Sequence, residues 1–116
     1  MKYMLLIYQN AAAREAIMAD LDSVMAEVDD IMKELTERGE WVGGEGLAIS
    51  GARTVKVRDG VPAITDGPFL EAKEFLAGYC VIDVDGIDRA TEIAARWPDA
   101  RYCAMEIQPI ISEQEA

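Results

Sequence analysis

Phe75-Leu76-Ala77-Gly78-Tyr79-Cys80-Val81-Ile82-Asp83-Val84 is an apolar run broken only by Asp83 near its end. Tyr79, Val81 and Ile82 carry high strand preference, and a run apolar on both alternating sets of positions predicts a strand buried on both faces. Just before it, Thr65-Asp66-Gly67-Pro68-Phe69-Leu70-Glu71-Ala72-Lys73-Glu74 gathers carboxylates, an ammonium group, an aromatic ring and a Gly-Pro turn. The apolar half sets the architecture, and the polar half is the first place to look for chemistry.

Upstream, Lys2 to Tyr8 is also nearly all apolar and predicts a second central strand. Asn10 caps an alanine-rich turn starting at Ala11. Leu21, Val24, Met25, Val28, Ile31, Met32 and Leu35 then recur every three or four residues, which lays one apolar stripe along a helix. Residues 11 to 38 form either one helix or two with a break near Asp20. Gly39 ends the helical stretch with a left-handed cap. Trp41-Val42 begins an extended segment, and Gly43-Gly44-Glu45-Gly46 within it signals a bulge, a bend or close backbone approach. A phosphate cradle is disfavoured, because these glycines match neither nucleotide-binding fingerprint and open no helix.

Arg53 to Arg58 alternates polar and apolar residues, Asp59-Gly60 is a two-residue hairpin turn, and Val61 to Thr65 returns, predicting a hairpin with one wet face. Pro62 restricts the return strand to an edge or to its first residues. Downstream, Asp85 is placed to cap a helix with Ile87, Ala90, Ile93, Ala94 and Trp97 on its apolar face, and Pro98 stops it. Arg101 to Ile111 reads as the last strand. The single expected domain is 1-111, and 112-116 is a polar tail expected to fray.

The length of 116 residues fits one core. The order strand, helix, strand, hairpin, strand, helix, strand predicts an α+β, ferredoxin-like βαββαβ-type antiparallel sheet with both helices on one face and a hairpin insertion. The first strand then lies between the third and fourth core strands. Cys80 and Cys103 fall two strands apart, too far for a disulfide, and are expected as reduced, buried thiols. Helices on one face leave the other bare although the central strands are apolar on both, so a homodimer through the open sheet face is expected.

Charge and composition exclude several function classes. Eleven basic against 22 acidic residues give a net charge of −11, which opposes nucleic-acid and membrane-surface binding. No apolar run approaches the ~20 residues of a membrane span, and the N-terminal run reads as a strand rather than a leader, so a cytoplasmic protein is expected. The chain has no histidine, which removes histidine-based triads, imidazole bases and His-ligated zinc. No cofactor fingerprint or metal spacing is present, and none is expected to bind.

Thr65-Asp66-Gly67-Pro68-Phe69, Glu71, Lys73-Glu74, Gly78-Tyr79 and Ile82-Asp83-Val84 together resemble the DGPF branch of the YCII-related family. The likeness extends through Met1 to Tyr8, Gly44-Glu45-Gly46-Leu47, Thr54 to Gly60, the helix ending at Pro98 and Glu106-Ile107-Gln108-Pro109. The resemblance implies a dimeric α/β barrel of two ferredoxin-like chains with a pocket between sheet, helix and hairpin. It also implies a gene-neighbourhood link to sigma factors of the extracytoplasmic-function type. YCII-related proteins include a dehydrochlorinase, and the wider superfamily includes lactone isomerases and cofactor-free oxygenases, so small, often ring-derived ligands are implied. The family's histidine and aspartate site does not carry over, because this chain lacks histidine.

The candidate catalytic residues are therefore Asp66, Glu71 and Lys73. Asp66 can act as an acid or base if it faces a partly apolar pocket, or it can cap a local Asx-turn. Glu71 and Lys73, two apart, share a side only on an extended segment, where they can orient a substrate or form a surface ion pair. Phe69, Tyr79 and Glu45 are the candidate ligand-binding residues, with core or dimer contacts the other reading for the two aromatic rings. Two functions compete. One is a small-molecule-binding or regulatory module. The other is a cofactor-free lyase or isomerase that uses carboxylate and lysine acid-base chemistry. The sparse catalytic inventory leans toward the first.

Overall fold

The structure, a computed structural model, describes residues 1–69 and 72–112. Glu71, and with it residues 113–116 of the tail expected to fray, lie outside the described residues. Strands β1 (Lys2–Gln9), β2 (Trp41–Gly46), β5 (Phe75–Asp83) and β6 (Ala104–Pro109) form one sheet in the order β2-β5-β1-β6. Every neighbouring pair is antiparallel. With β3 (Arg53–Arg58) and β4 (Val61–Asp66) set aside as a separate two-stranded sheet, this is the ferredoxin-like order.

The helix face of the sheet follows from the register. Tyr3 pairs with Ile82, Leu5 with Cys80 and Ile7 with Gly78 across β1 and β5. On the far side of β1, Leu5 pairs with Ile107 and Ile7 with Met105. These positions share one face, and they pack in a single core with Ile31 and Leu35 of α2 (Leu21–Glu37) and Ala90, Ile93 and Ala94 of α3 (Ile87–Arg96). Leu5, Leu35, Ile82 and Ile93 are fully buried, each contributing roughly 2 kcal/mol of apolar transfer. Among the described residues no helix is long and apolar enough to cross a membrane.

The 11 to 38 segment is two helices, α1 (Ala11–Ala19) and α2, because Asp20 leaves helical geometry at φ −133° and ends one helix while starting the next. Asn10 accepts a hydrogen bond from the Ala13 amide at 2.7 Å, as its cap position predicts. At the other end Gly39 adopts φ 72°, and the amides of Gly39 and Glu40 donate to the carbonyls of Thr36 and Leu35. This Schellman closure turns the chain directly into β2.

Four sequence expectations need correction. Pro98 does end α3, since Trp97 before it is extended, but the chain then makes a short helical turn, α4 (Asp99–Tyr102), so β6 starts at Ala104 and not at Arg101. Cys103 consequently sits ahead of the sheet and is half-buried, although both cysteines are free and Cys80 is buried. Gly86, not Asp85, occupies the cap of α3, with no side-chain cap bond. Finally, the β3–β4 hairpin is wet on both faces: Val55, Val57, Val61 and Ile64 are all exposed. Its turn is as expected, with Asp59 at φ 50° and Gly60 at φ 77°, the pair of positive values a type I′ turn requires.

Candidate functional site

The described residues among those singled out in the sequence do not share one site. Asp66 ends β4 with its side chain 96% exposed, and Arg53 Nε is 3.9 Å away, a pair too open to shift much energy. The turn after it is pinned by other groups: the Gly67 amide donates to the Ala52 carbonyl at 2.7 Å, and Thr54 Oγ1 donates to the Gly67 carbonyl at 2.8 Å. Phe69 is 66% exposed with the Lys56 ammonium 4.8 Å from its ring centre. Lys73 is exposed and makes no ion pair with Asp66. Phe69 lines an apolar concavity of about 730 Å³ with Tyr8, Leu47, Ile49 and Phe75.

Tyr79 and Glu45 are brought together, but on the side of the sheet away from the helices. Glu45 pairs with Tyr79 across β2 and β5, Tyr79 with Leu6 across β5 and β1, and Leu6 with Glu106 across β1 and β6. That row alternates with the core-facing row, so its side chains point to the open face. Next to it the Tyr8 hydroxyl donates to Glu106 Oε2 at 3.0 Å, and this bond raises the proton affinity of the phenol.

On the helix side the floor of the sheet is stripped of side chains at one end. Gly46 faces Gly78 in register, and Gly44 faces Cys80. A Cβ on Gly44 would stand 2.6 Å from the Tyr79 carbonyl oxygen and 2.8 Å from Cys80 Cβ, so this position admits only glycine. Above the gap, α1 and α2 hold Ile17, Met18, Val24, Met25 and Val28, and a chamber of about 360 Å³ lies between the layers. Met18, Leu21 and Met25 are exposed at its mouth, which explains why the apolar stripe of α2 is not buried along its whole length. Methionines at such a rim adapt to varied apolar shapes.

Two polar side chains, half-buried Gln9 and buried Asp99, line the chamber. Gln9 is the last residue of β1, and Asp99 opens α4 with 5% of its surface exposed. Gln9 Nε2 donates to Asp99 Oδ2 at 2.9 Å, while Gln9 Oε1 is buried without a hydrogen-bond partner. Burial raises the Asp99 pKa, outweighing the hydrogen bond from Gln9 that acts to lower it. A carboxyl in this setting can give or take a proton near an apolar ligand, or hold a ligand hydroxyl. Cys80 also lines the chamber, but burial pushes its thiol up to about 12, so it is no nucleophile at neutral pH. Among the described residues, no three His, Cys, Asp or Glu side chains converge to hold a metal ion.

Gln9, Asp99 and Arg14, which also lines the chamber, do not stand out in the sequence. Asp99 follows Trp97-Pro98, a place that reads as a helix stop and hence as solvent-facing loop. The available signal was the shortness of the link between an apolar helix and an apolar strand, too short to carry its first polar residue out of the core.

The fold is similar to that of 5-chloro-2-hydroxyhydroquinone dehydrochlorinase (TftG) from Burkholderia phenoliruptrix AC1100, solved in complex with 2,5-dihydroxybenzoquinone. The two chains share 8% identity over 98% of this chain and 97% of that one, with a TM-score of 0.54, a likeness of fold alone. No curated protein matches the chain significantly. The model of the YCII-related domain matches residues 1–114, and the chain therefore belongs to the YCII-related domain family.

Proposed function

We propose that this protein binds a small organic molecule in the chamber between the helices and the glycine-stripped end of the sheet. The observation that carries this reading is the register of Gly46 against Gly78, which leaves a largely apolar space beside the Gln9–Asp99 pair. Such a space, apolar with a few convergent polar groups, is the usual form of a small-molecule site. A ring-sized ligand suits it, and the fold neighbour TftG was solved with a dihydroxybenzoquinone. A regulatory role beside an extracytoplasmic-function sigma factor, which the family resemblance implies, would rest on this same binding event.

The second reading is a cofactor-free enzyme, and the buried carboxyl of Asp99 is what favours it. In that role Asp99 accepts a proton from bound substrate while Gln9 holds its orientation, a lyase or isomerase type of step. A site built on Asp66, Glu71 and Lys73 is a different proposal. Asp66 and Lys73 are exposed in the single chain, so such a site requires a second copy to enclose it through the proposed sheet-to-sheet homodimer.

Gly46→Leu tests the chamber directly. A Cβ at Gly46 meets nothing within 4 Å, so a side chain fits there without disturbing the ladder and projects into the gap. Amide NMR titration with neutral ring compounds such as methyl benzoate is expected to move the signals of Ile7, Gly78 and Val28 in the wild type and to leave them still in the variant. Equal shifts in both proteins would place the ligand elsewhere.

A further inference from the structure

We propose that the ligand of this chamber is a small ring carboxylate, its anionic end held by Arg14 at the mouth and its apolar body lying over Gly78. This rests on the chamber reading above and adds the charge of the ligand. Arg14 stands on α1, half-buried, and lines the chamber together with Gln9 and Asp99. Among the described residues, no carboxylate forms an ion pair with it. That is unusual in this chain, where carboxylates outnumber basic residues by 22 to 11.

The other arginines are used differently. Arg38 and Arg89 bind Glu40, Arg96 binds Glu34, Arg101 binds Glu27, and Arg53 lies beside Asp66. Among the described residues Arg58 has no carboxylate partner either, but it is exposed at the tip of the hairpin, where water can satisfy it. Among the described residues, Arg14 is the one arginine that combines partial burial, no carboxylate partner and a place on the chamber wall.

The acidic groups near it leave room for an anion. Glu45 lines the rim through its strand, but the register turns its side chain to the opposite face of the sheet. Asp99 already accepts a hydrogen bond from Gln9 Nε2, and it forms no ion pair with Arg14. A guanidinium presents a planar fork of donors that matches a carboxylate in bidentate fashion, and partial burial strengthens the pair relative to water. The chamber walls are otherwise apolar, which suits a ring and selects against a fully polar acid.

Matched acid and ester pairs separate this proposal from the chamber reading beneath it. Benzoate with methyl benzoate, and 2-naphthoate with its methyl ester, are titrated against wild type, Arg14→Gln, Arg14→Lys and Gly46→Leu, with affinity read from amide NMR and calorimetry. At least one acid is expected to bind the wild type about tenfold or more tightly than its ester. Arg14→Gln removes that preference while leaving ester affinity unchanged, which a merely destabilised protein would not do. Arg14→Lys retains part of the preference through its charge. An ester that binds as well as its acid, or a preference that survives Arg14→Gln, overturns the carboxylate assignment and leaves the chamber intact. If neither member of any pair moves chamber signals, the chamber reading falls and this proposal with it.

Discussion

Gln9 at the end of β1 donates a 2.9 Å hydrogen bond to Asp99 at the start of α4, tying the sheet to the link that follows α3. Because burial raises the Asp99 pKa, the folded chain binds this proton more tightly than the unfolded chain does. The stability it contributes is complete below the unfolded aspartate pKa and is lost as the pH rises through the folded value. Asp99→Asn is therefore expected to raise the melting temperature at neutral pH, with a gain that shrinks as the pH falls toward the ordinary aspartate value of 3.8. The amide still accepts from Gln9 Nε2. Melting curves across pH check this, and a variant less stable than wild type at neutral pH would refute it.

Glu40 has the opposite sign. It follows the Gly39 cap, and its carboxylate accepts from Arg38 Nε at 2.7 Å and from Arg89 Nε and Nη2 at 3.0 and 2.9 Å. The Arg89 hydrogen bond, with Arg38 assisting, holds its pKa below the ordinary glutamate value against the cost of burial. Its contribution is complete above the unfolded pKa and is lost as the pH falls through the folded one. The cluster joins the end of α2 to α3, so Glu40→Gln is expected to cost about 1–2 kcal/mol at neutral pH, because Arg89 keeps Glu34 and Glu92 as partners. Urea denaturation at neutral pH and at pH 4 tests it: the difference between variant and wild type should narrow at the lower pH.

Local signals in the chain were readable and distant ones were not. The apolar runs that become β1 and β5, the Asn10 and Gly39 caps and the Asp59-Gly60 turn are each set by residues within a few positions of one another. The sheet order then follows from connectivity. The hairpin departs from its expected covered face because Val55 and Val57 alternate with polar residues as if packed, yet no element of the described residues lies over them or over Ile64, which pairs with Val55. Asp99 lies 90 residues from Gln9 and 85 from Arg14, and only the folded sheet and helix layers bring the three to one chamber. The glycines of β2 were legible as a close approach, but not as a floor, because that role depends on Gly46 meeting Gly78 in register.

Gly44 and Gly46, two residues apart on the same face of β2, are expected to respond in opposite ways to one methyl group. At Gly44 the added Cβ meets the backbone of Tyr79 at 2.6 Å, and backbone in a central strand has little freedom to retreat. Gly44→Ala should cost about 3 kcal/mol, whereas Gly46→Ala should stay within about 1 kcal/mol of wild type. Denaturant titration of both variants measures the difference directly. Equal stabilities would mean that β2 can shift away from β5, and the chamber floor would then be softer than its register implies.

The open face of the sheet carries the final prediction. Met4, Leu6, Tyr79 and Val81 are half-buried there with no layer of the described residues above them, while Glu45 and Glu106 flank the row through Tyr79 and Leu6. A second copy packed by two-fold symmetry would cover these side chains, which is the proposed homodimer. Leu6→Glu adds a third carboxylate to the row, and burying it in a dimer would leave it unpaired, at a cost of several kcal/mol. In the single chain the same carboxylate remains in water at little cost. Light scattering is expected to give a dimer for wild type and a monomer of unchanged circular dichroism for Leu6→Glu. A monomeric wild type at micromolar concentration would remove the homodimer and any site on Asp66 and Lys73 that depends on it, while leaving the chamber between helices and sheet untouched.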